Sequence, residues 1–300
     1  MSNKTIQNIA LVLKPQFNSQ YLNMLNHLCN WLNRRHLKVQ LDLKCKEYLQ
    51  KNWSSWLKQA DIHFIDHKQF FEMDLIITLG GDGTLIGKAR DLQGGPPILG
   101  VNWGRLGFIT EFSAEELYQV LEKVIRSEFT TTDVEMLEMR IITKNKIIQQ
   151  RSFMNDIVIS KNNIARMFSL TVECDQEMLA QIAGDGLIIS SPIGSTAYSL
   201  AAGGPIVHPS IQAMILTPIC PHSLLHRPIL VNSSSEICIS LDRNESSVAI
   251  TLDGQETYDF QYGSQLKIMK GSQPPLQLIK NPSKNYFHTL KSKFLNHRSH

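Results

Sequence analysis

The stretch that decides the fold of the first half of this chain is Asp74-Leu-Ile-Ile-Thr-Leu-Gly-Gly-Asp-Gly-Thr-Leu85. Its segment Leu75–Leu79 is a short apolar run with β-branched residues, which predicts a buried strand. Two glycines end that strand, and residues 85–90 predict the start of a helix. A strand that stops at glycines and continues into a helix can hold phosphate, because bare N–H groups and the positive end of the helix dipole approach the anion.

Within this stretch we call Gly80, Gly81, Gly83 and Thr84 the phosphate loop. Asp82 lies between its glycines, where a carboxylate would repel a phosphate group. We therefore expect Asp82 to face a substrate hydroxyl group or a magnesium ion instead. A strand and two glycines alone indicate only a structural turn, and the carboxylate is what favours chemistry.

Two common nucleotide-binding motifs are excluded by spacing. The P-loop pattern needs Gly five residues before Gly87, where the chain has Asp82. It also needs Ser or Thr where the chain has Ala89. The dinucleotide pattern G-x-G-x-x-G fails as well, because Ile86 occupies the position of the third glycine. The phosphate loop therefore belongs to a different class of site.

Composition predicts a globular protein of two domains, with 300 residues of which 42% are hydrophobic and 19% are charged. A formal net charge of +3 is too small to indicate a nucleic-acid partner, although it suits anionic ligands. No apolar run approaches the roughly 18 residues of a membrane span, and no signal-peptide pattern is present. The five cysteines form no C-x-x-C pair, so we expect free thiols in a cytoplasmic protein and no zinc site.

Strand and helix patterns alternate up to about residue 128, which predicts a parallel sheet in an α/β domain. The expected strands are residues 9–13, 39–43, 63–66, 75–79 and 97–102, and the expected helices are residues 21–37 and 47–57. Ser113-Ala-Glu-Glu116 is typical of a capping box that begins another helix. Beyond about residue 130, short alternating runs separated by turns predict a layered antiparallel sheet. We expect domains at residues 1–130 and 131–285, with residues 286–300 forming a helix that packs back on the first.

The densest pattern of the second half runs from Gly184 to Pro205. It predicts a strand, a Pro-Ile-Gly turn and then a helix capped by Ser195 or Thr196. Such a segment forms a second glycine-rich cradle, in which Tyr198 stacks on a ring and the neighbouring hydroxyl groups bind phosphate or sugar. A plain loop is the alternative interpretation, and the order of the residues favours binding.

Two further polar groups each have a structural and a functional interpretation. Asn155-Asp156 precedes a strand, and is either a simple turn or a pair that binds a ribose diol or an amide edge. Asp253-Gly-Gln255 is either a hairpin turn or a segment that brings Gln255 against an adenine or an amide. Spacing does not decide between these interpretations.

Taken together, these segments resemble the NAD kinase family. The Gly-Gly-Asp-Gly element is shared with lipid kinases and phosphofructokinases, whereas Ser-Thr-Ala-Tyr-Ser-Leu followed by Gly-Gly-Pro is specific to this family. The resemblance extends from about residue 75 to about residue 286, and its stretches are Gly80-Gly-Asp-Gly-Thr84, Gly100-Val-Asn-Trp-Gly-Arg-Leu-Gly-Phe108, Asn155-Asp156, Gly184-Asp-Gly-Leu187, Pro192-Ile-Gly-Ser-Thr-Ala-Tyr-Ser-Leu-Ala-Ala-Gly-Gly-Pro205, Leu216-Thr-Pro-Ile-Cys-Pro-His222 and Asp253-Gly-Gln255.

The resemblance implies a phosphotransferase that moves the γ-phosphoryl group of ATP to the 2′-hydroxyl of the adenosine ribose of NAD, giving NADP. It implies that Asp82 accepts the proton of that hydroxyl, and that a divalent cation, expected to be Mg²⁺, accompanies ATP. The resemblance leaves open whether polyphosphate replaces ATP as the donor. The implied NAD contacts are Asp82, Gly83, Asn155, Asp156, Arg166, Ala183, Asp185, Thr196, Ala197, Tyr198, Ser199, Leu200, Ala201 and Gln255.

The resemblance also implies a fold and an assembly. The fold is an α/β N-terminal Rossmann-like domain plus a mostly β, NAD-binding C-terminal domain, as in NAD kinases and diacylglycerol kinases. The implied assembly is a homodimer or a homotetramer. No membrane and no nucleic acid are expected as partners.

Three positions depart from the family pattern. Trp103 stands where relatives often carry a basic or small residue, and Ile193 replaces a usual Thr. The methyl side chain of Ala183 cannot distinguish the charge of the nicotinamide ring, which leaves the preference between NAD and NADH open.

Two alternative functions remain, a lipid kinase of the diacylglycerol or sphingosine type and a non-catalytic dinucleotide sensor. No basic amphipathic helix favours the first, and Asp82 argues against the second.

Overall fold

The computed structural model describes residues 6–60, 62–104, 107–161, 168–223, 226–242 and 247–295. The chain divides into two compact units. The first unit consists of Met1–Val134 and Pro275–His300, and the second unit consists of Glu135–Pro274. No helix in the described part of the chain is long and apolar enough to cross a membrane.

The strands and helices are as follows, in chain order. The strands are β1 Asn8–Leu13, β2 Lys38–Asp42, β3 His63–Ile65, β4 Leu75–Leu79, β5 Ile98–Asn102, β6 Phe112–Ser113, β7 Thr131–Val134, β8 Leu137–Thr143, β9 Lys146–Phe153, β10 Asp156–Ser160, β11 Phe168–Cys174, β12 Glu177–Gly184, β13 Gly186–Ser190, β14 Ala213–Ile219, β15 Ile229–Asn232, β16 Ile237–Leu241, β17 Ser247–Leu252, β18 Glu256–Gln261, β19 Ser264–Lys270 and β20 Leu276–Ile279. The helices are α1 Ser19–Asn33, α2 Lys46–Asn52, α3 Ser54–Gln59, α4 Asp82–Ala89, α5 Leu117–Ile125, α6 Tyr198–Ala201 and α7 Tyr286–Leu295, with 3₁₀ turns at Leu43–Cys45, Lys68–Glu72 and Gly194–Thr196.

The first unit is an α/β structure around one sheet, whose strands lie in the order β3-β2-β1-β4-β5-β20-β7, with β6 beside β5. Strands β1 to β5 are mutually parallel, which confirms the strands and the parallel sheet predicted from the sequence. The strand order reverses between β1 and β4. In open α/β sheets, ligands bind beyond the carboxyl ends of the strands at such a reversal, so the end of β4 is placed for binding.

The helices of the first unit differ from the predicted ranges at points where the backbone breaks the pattern. Helix α1 buries Leu22, Leu25, Leu28 and Leu32 at helical spacing. It ends at Asn33 rather than near residue 37, because the chain turns at His36 with a positive φ. The expected helix over residues 47–57 is two helices, α2 and α3, separated by the non-helical backbone of Trp53.

The boundaries between the units follow from strand pairing over long sequence distances. Strand β20 pairs in parallel with β5 and antiparallel with β7, so both join the sheet of the first unit. The sequence pattern suggests 131–285 as the second domain, whereas the compact unit spans Glu135–Pro274. A local pattern of alternating residues identifies a strand but does not show which sheet it joins.

The C-terminal segment is anchored within the first unit by polar and aromatic contacts. The side chain of Lys284 donates to the carbonyl of Glu111 at 2.6 Å and to the carboxylate of Glu116 at 2.9 Å. Helix α7 then brings the rings of Tyr286 and Phe294 to 6.4 and 6.1 Å from the ring of Phe108. The tail therefore packs beside the segment that follows β5.

The described part of the second unit forms two antiparallel sheets. Their strand orders are β15-β14-β13-β10-β17-β18 and β12-β11-β16-β19-β8-β9. Both sheets contribute apolar side chains to a single buried cluster, which includes Phe153, Phe168 and Phe260. This layered arrangement confirms that the second half of the chain is β-rich, as its short alternating runs predict.

Candidate active site

The phosphate loop joins β4 to α4 at the reversal point of the first sheet. Helix α4 begins at Asp82, three residues earlier than the sequence pattern predicts, with Gly81 at its N-cap position. A Cβ atom on Gly80 would lie 2.3 Å from Oγ1 of Thr84, so only glycine fits there. The loop thus presents the N-terminus of a helix, which is a site for an anion.

The start of the phosphate loop is held by two residues, Lys14 and Tyr21, that are not among the predicted site residues. The carbonyl of Leu79 accepts hydrogen bonds from the N–H of Lys14 at 3.2 Å and from the hydroxyl of Tyr21 at 2.6 Å. Burial raises the pKa of Tyr21 far above its ordinary value, so this hydroxyl stays a proton donor. The ammonium of Lys14, at the end of β1, lies 5.0 Å from the ring centre of Tyr21. The only signal for Lys14 in the sequence is its position directly after the first predicted strand.

The carboxylate of Asp82 is hydrogen-bonded to a segment that lies more than 25 residues further along the chain. Its Oδ2 accepts from the N–H of Phe108 at 2.8 Å. Its Oδ1 accepts from the N–H groups of Ile109 and Thr110 at 3.3 and 3.0 Å, and from the Thr110 hydroxyl at 2.8 Å. The sequence predicts that Asp82 faces a substrate hydroxyl or a magnesium ion, and it gives no signal for these backbone donors.

Two neighbours explain why this arrangement is sterically possible. A Cβ atom on Gly107 would lie 1.8 Å from Oδ1 of Asp82, so the carboxylate approaches the backbone only because residue 107 is glycine. Thr110 is fully buried, and its hydroxyl also accepts from the side-chain amide of Asn102 at 3.1 Å. Asn102 ends β5, the strand beside β4. The sheet therefore brings the donors and the carboxylate to one edge.

A metal site built from protein side chains is not found in the described residues. No group of three or more His, Cys, Asp or Glu side chains among them could hold a metal ion. The carboxylate of Asp82 already accepts four hydrogen bonds. Magnesium is commonly bound by one or two carboxylates together with substrate phosphates, so the described residues do not provide a protein cage for it.

A second polar cluster lies in the second unit, around the start of β10. Asp253 has a φ of +50° and Gly254 a φ of +64°, which fits the tight hairpin turn between β17 and β18. The carboxylate of Asp253 accepts from the N–H groups of Met154, Asn155 and Asp156, with a shortest distance of 2.7 Å to Asn155. The hairpin interpretation of this segment is thus confirmed, and Asp253 holds the backbone of the predicted Asn-Asp pair.

Asp156 and Asn155 have unusual environments for polar side chains. Burial raises the pKa of Asp156 to about 7, and the nearby charge of Asp253 adds to this, whereas the N–H of Tyr198 opposes it. The side-chain oxygen of Asn155 is buried and has no hydrogen-bond partner among the described residues. Gly194 packs against Asn155, since a Cβ there would lie 2.1 Å from the Asn155 carbonyl oxygen. The turn before α6 and the start of β10 therefore form one site.

The raised pKa of Asp156 makes stability depend on pH. The folded chain holds this proton more tightly than the unfolded chain, because the pKa rises from 3.8 to about 7 on folding. The resulting stability is fully present below pH 3.8 and is lost as pH rises through about 7. Urea unfolding should show the wild-type stability, relative to Asp156→Asn, falling across this window by at most about 1.4 kcal/mol per pH unit. A constant difference would contradict the assignment.

The hydroxyl groups of the Gly184–Pro205 segment are mostly engaged inside the protein. The Ser199 hydroxyl is buried and bonds that of Thr217 at 2.8 Å, and the Ser195 hydroxyl donates to the carbonyl of Pro192 at 2.6 Å. Neither Ser195 nor Thr196 caps α6, because both belong to a 3₁₀ turn and Ala197 precedes the helix. The predicted cap is therefore wrong. Tyr198, by contrast, is 47% exposed and available for stacking.

The remaining predicted contacts of the second unit are spread over several elements. Ala183 is half-buried in β12, while Asp185 and Gln255 are exposed in the connections after β12 and β17. Leu200 is half-buried and Ala201 exposed in α6. Arg166 lies outside the described residues. The structure thus groups Asn155 and Asp156 with Tyr198, and leaves the roles of the others as predictions.

Comparisons with known proteins find similarity along most of the chain. A model of the ATP-NAD kinase N-terminal domain matches residues 9–129, and a model of the ATP-NAD kinase C-terminal domain matches residues 154–281. An NAD kinase from Geotalea daltonii is 42% identical over 269 residues, which cover 89% of this chain and 90% of that protein. An NAD kinase from Magnetococcus marinus is 38% identical, with 89% and 87% covered.

Solved structures show a similar fold. Yeast NADH kinase complexed with NADH has a TM-score of 0.86 at 26% identity, covering 99% of this chain and 89% of that one. An NAD kinase from Archaeoglobus fulgidus in complex with ATP has a TM-score of 0.73 at 24% identity, covering 96% and 98%. The second likeness supports the fold alone.

Proposed function

Because this chain belongs to the ATP-NAD kinase family, we propose that it transfers the γ-phosphoryl group of ATP to the 2′-hydroxyl of the adenosine ribose of NAD. The products are NADP and ADP. The observation that carries this proposal is the match of both family domains to successive parts of the chain, with Gly-Gly-Asp-Gly at the junction of β4 and α4. A lipid kinase would share only the Gly-Gly-Asp-Gly element and not the match to both family domains.

The first unit supplies the groups for phosphoryl transfer. The N-terminus of α4 and the glycines of the phosphate loop are suited to ATP phosphates, because N–H groups and the helix dipole stabilise negative charge. Asp82 acts as the proton acceptor for the attacking hydroxyl. Its hydrogen bonds to Phe108, Ile109 and Thr110 orient the carboxylate, so little ordering is needed when the substrate binds.

The second unit supplies the groups that hold the dinucleotide. The unpartnered side-chain oxygen of Asn155 is suited to accept a hydrogen bond from a ribose hydroxyl or an exocyclic amino group. Asp156 is held in place through the turn at Asp253. The exposed ring of Tyr198 offers a face on which a base can stack. We propose that the other predicted residues, among them Ala183, Asp185 and Gln255, also contact NAD.

Further parts of the proposal concern the cation, the assembly and the compartment. We propose that Mg²⁺ arrives bound to ATP, since the described residues hold no ligand cluster for it. When bound, it neutralises charge on the phosphates. A homodimer or homotetramer in the cytoplasm fits the family resemblance, and the free state of the five cysteines fits a reducing compartment.

The decisive experiment measures NADP formation by the purified protein with NAD, ATP and magnesium. NADH, a diacylglycerol and a sphingoid base serve as parallel acceptors, and polyphosphate replaces ATP in a second series. We expect phosphorylation of NAD and none of the lipids. NADH is the first alternative acceptor, because Ala183 does not read nicotinamide charge and a related kinase has been solved with NADH. Nucleotide binding without turnover of any acceptor would favour the sensor function.

A further inference from the structure

A chain of buried polar groups runs from the end of β5 to the carboxylate of Asp82. The side-chain amide of Asn102 donates to the hydroxyl of Thr110 at 3.1 Å, and that hydroxyl donates to Oδ1 of Asp82 at 2.8 Å. Thr110 is 0% exposed and Asn102 is 6% exposed. Because buried polar groups are costly unless they are bonded, this chain has one well-defined arrangement.

The two oxygens of the carboxylate are used unequally. Among the described residues, Oδ1 accepts three hydrogen bonds, two of them from Thr110, whereas Oδ2 accepts one from the N–H of Phe108. A carboxylate oxygen offers about two lone-pair sites. Oδ1 is therefore saturated, and Oδ2 retains a site for one more donor.

We infer that Thr110, oriented by Asn102, is a positioning residue that turns Oδ2 of Asp82 toward the substrate hydroxyl as the proton-accepting atom. This inference rests on the proposed function. In the reaction, the 2′-oxygen forms a bond to the γ-phosphorus while its proton passes to Oδ2. The bond from the γ-phosphorus to the bridging oxygen breaks, and its electron pair leaves with ADP.

The role of the Thr110 hydroxyl can be tested separately from that of the Thr110 backbone N–H. Among the described residues, its hydroxyl is the only side-chain group bonded to Asp82, and the other donors are backbone N–H groups. Replacing Thr with Val removes this hydroxyl and keeps the shape of the side chain. The backbone donors then still hold the carboxylate, but Oδ1 loses one of its three hydrogen bonds, so the rotation of the carboxylate is less tightly fixed.

The chain offers a matched control in Thr78. This residue is also 0% exposed, and lies in β4, but its hydroxyl has no hydrogen-bond partner among the described residues. The variant Thr78→Val therefore removes a buried hydroxyl from the same unit without removing a hydrogen bond to Asp82. The conservative variant Thr110→Ser keeps the hydroxyl that the inference requires.

The test measures kcat and KM for NAD and ATP in all three variants, with thermal melting to verify folding. We expect Thr110→Val to lower kcat about 10- to 100-fold with little change in either KM, because a misplaced catalytic group slows only the chemical step. Thr110→Ser should restore most of the rate, and Thr78→Val should retain it.

Several outcomes would overturn the inference. These are a wild-type kcat in Thr110→Val, an equal loss in Thr110→Ser, an equal loss in Thr78→Val, or an effect confined to KM. If Thr110→Val does not fold, Asn102→Ala replaces it, with an expected loss of about 3- to 10-fold in kcat; an unchanged kcat there overturns the inference. A wild-type protein that phosphorylates neither NAD nor NADH contradicts the proposed function instead.

Discussion

Replacing Asp82 with Asn is expected to lower the kcat of NADP formation by at least about 100-fold. The amide cannot accept the proton of the 2′-hydroxyl. The amide also places an N–H₂ group where the carboxylate accepts hydrogen bonds. These come from the N–H groups of Phe108, Ile109 and Thr110 and from the Thr110 hydroxyl. Two donors would then face each other, so some loss of thermal stability should accompany the loss of rate.

The measurement is steady-state NADP formation, together with NAD and ATP binding and the melting temperature of each variant. Asp91→Asn is the matched control, because it changes a partly exposed carboxylate of the same unit that pairs with Lys44. That control should keep the wild-type kcat. If Asp82→Asn binds both nucleotides and turns over at the wild-type rate, Asp82 is not the proton acceptor.

Replacing Lys88 with Ala is expected to lower the free energy of unfolding of the first unit by about 3–5 kcal/mol. Lys88 and Asp42 form a buried ion pair at 3.0 Å, and the ammonium lies 3.5 Å from the ring centre of Phe70. Burial lowers the pKa of Lys88 more than the carboxylate of Asp42 raises it. Removing the ammonium leaves the charge of Asp42 buried without its main partner.

Urea unfolding monitored by circular dichroism measures this loss. Lys44→Ala is the control, because Lys44 is 72% exposed and pairs with Asp91 at 3.4 Å. An exposed pair of this kind contributes about 0–1 kcal/mol. Equal midpoints for the two variants would show that the buried pair does not stabilise the fold. The same buried contacts show that the side chain of Lys88 packs α4 against the end of β2.

Much of the first unit was predictable because its signals are local. Strands β1, β4 and β5 are short apolar runs that end at Lys14, Gly80 and Asn102, and β2 is a short alternating run. The glycines of the phosphate loop mark the β4–α4 junction. Helix ends were less predictable. Whether α1 stops at Asn33 depends on the backbone angle of His36, which residue type alone does not specify.

In the second unit, neighbouring hydroxyl-bearing side chains of one segment have different environments. Ser195, Ser199 and Tyr198 lie within one polar segment, yet the first two hydroxyls bond inside the protein and the tyrosine ring is exposed. In the sequence these hydroxyl groups look alike, because spacing does not show which side of the chain meets the packed sheet. Burial decides which of them can meet a ligand.

The amino-acid sequence by itself determined the strands β1 to β5 of the first unit, the β-rich second half and the glycine loop around Asp82, because each depends on residues close together in the chain. Only the tertiary structure decided what Asp82 and the Asn155-Asp156 pair contact. The donors to Asp82 lie 26 to 28 residues away, and Asp253 reaches Met154, Asn155 and Asp156 across 97 to 99 residues. Such hydrogen bonds form only when strand pairing brings distant segments to one edge of a sheet, which no local periodicity records.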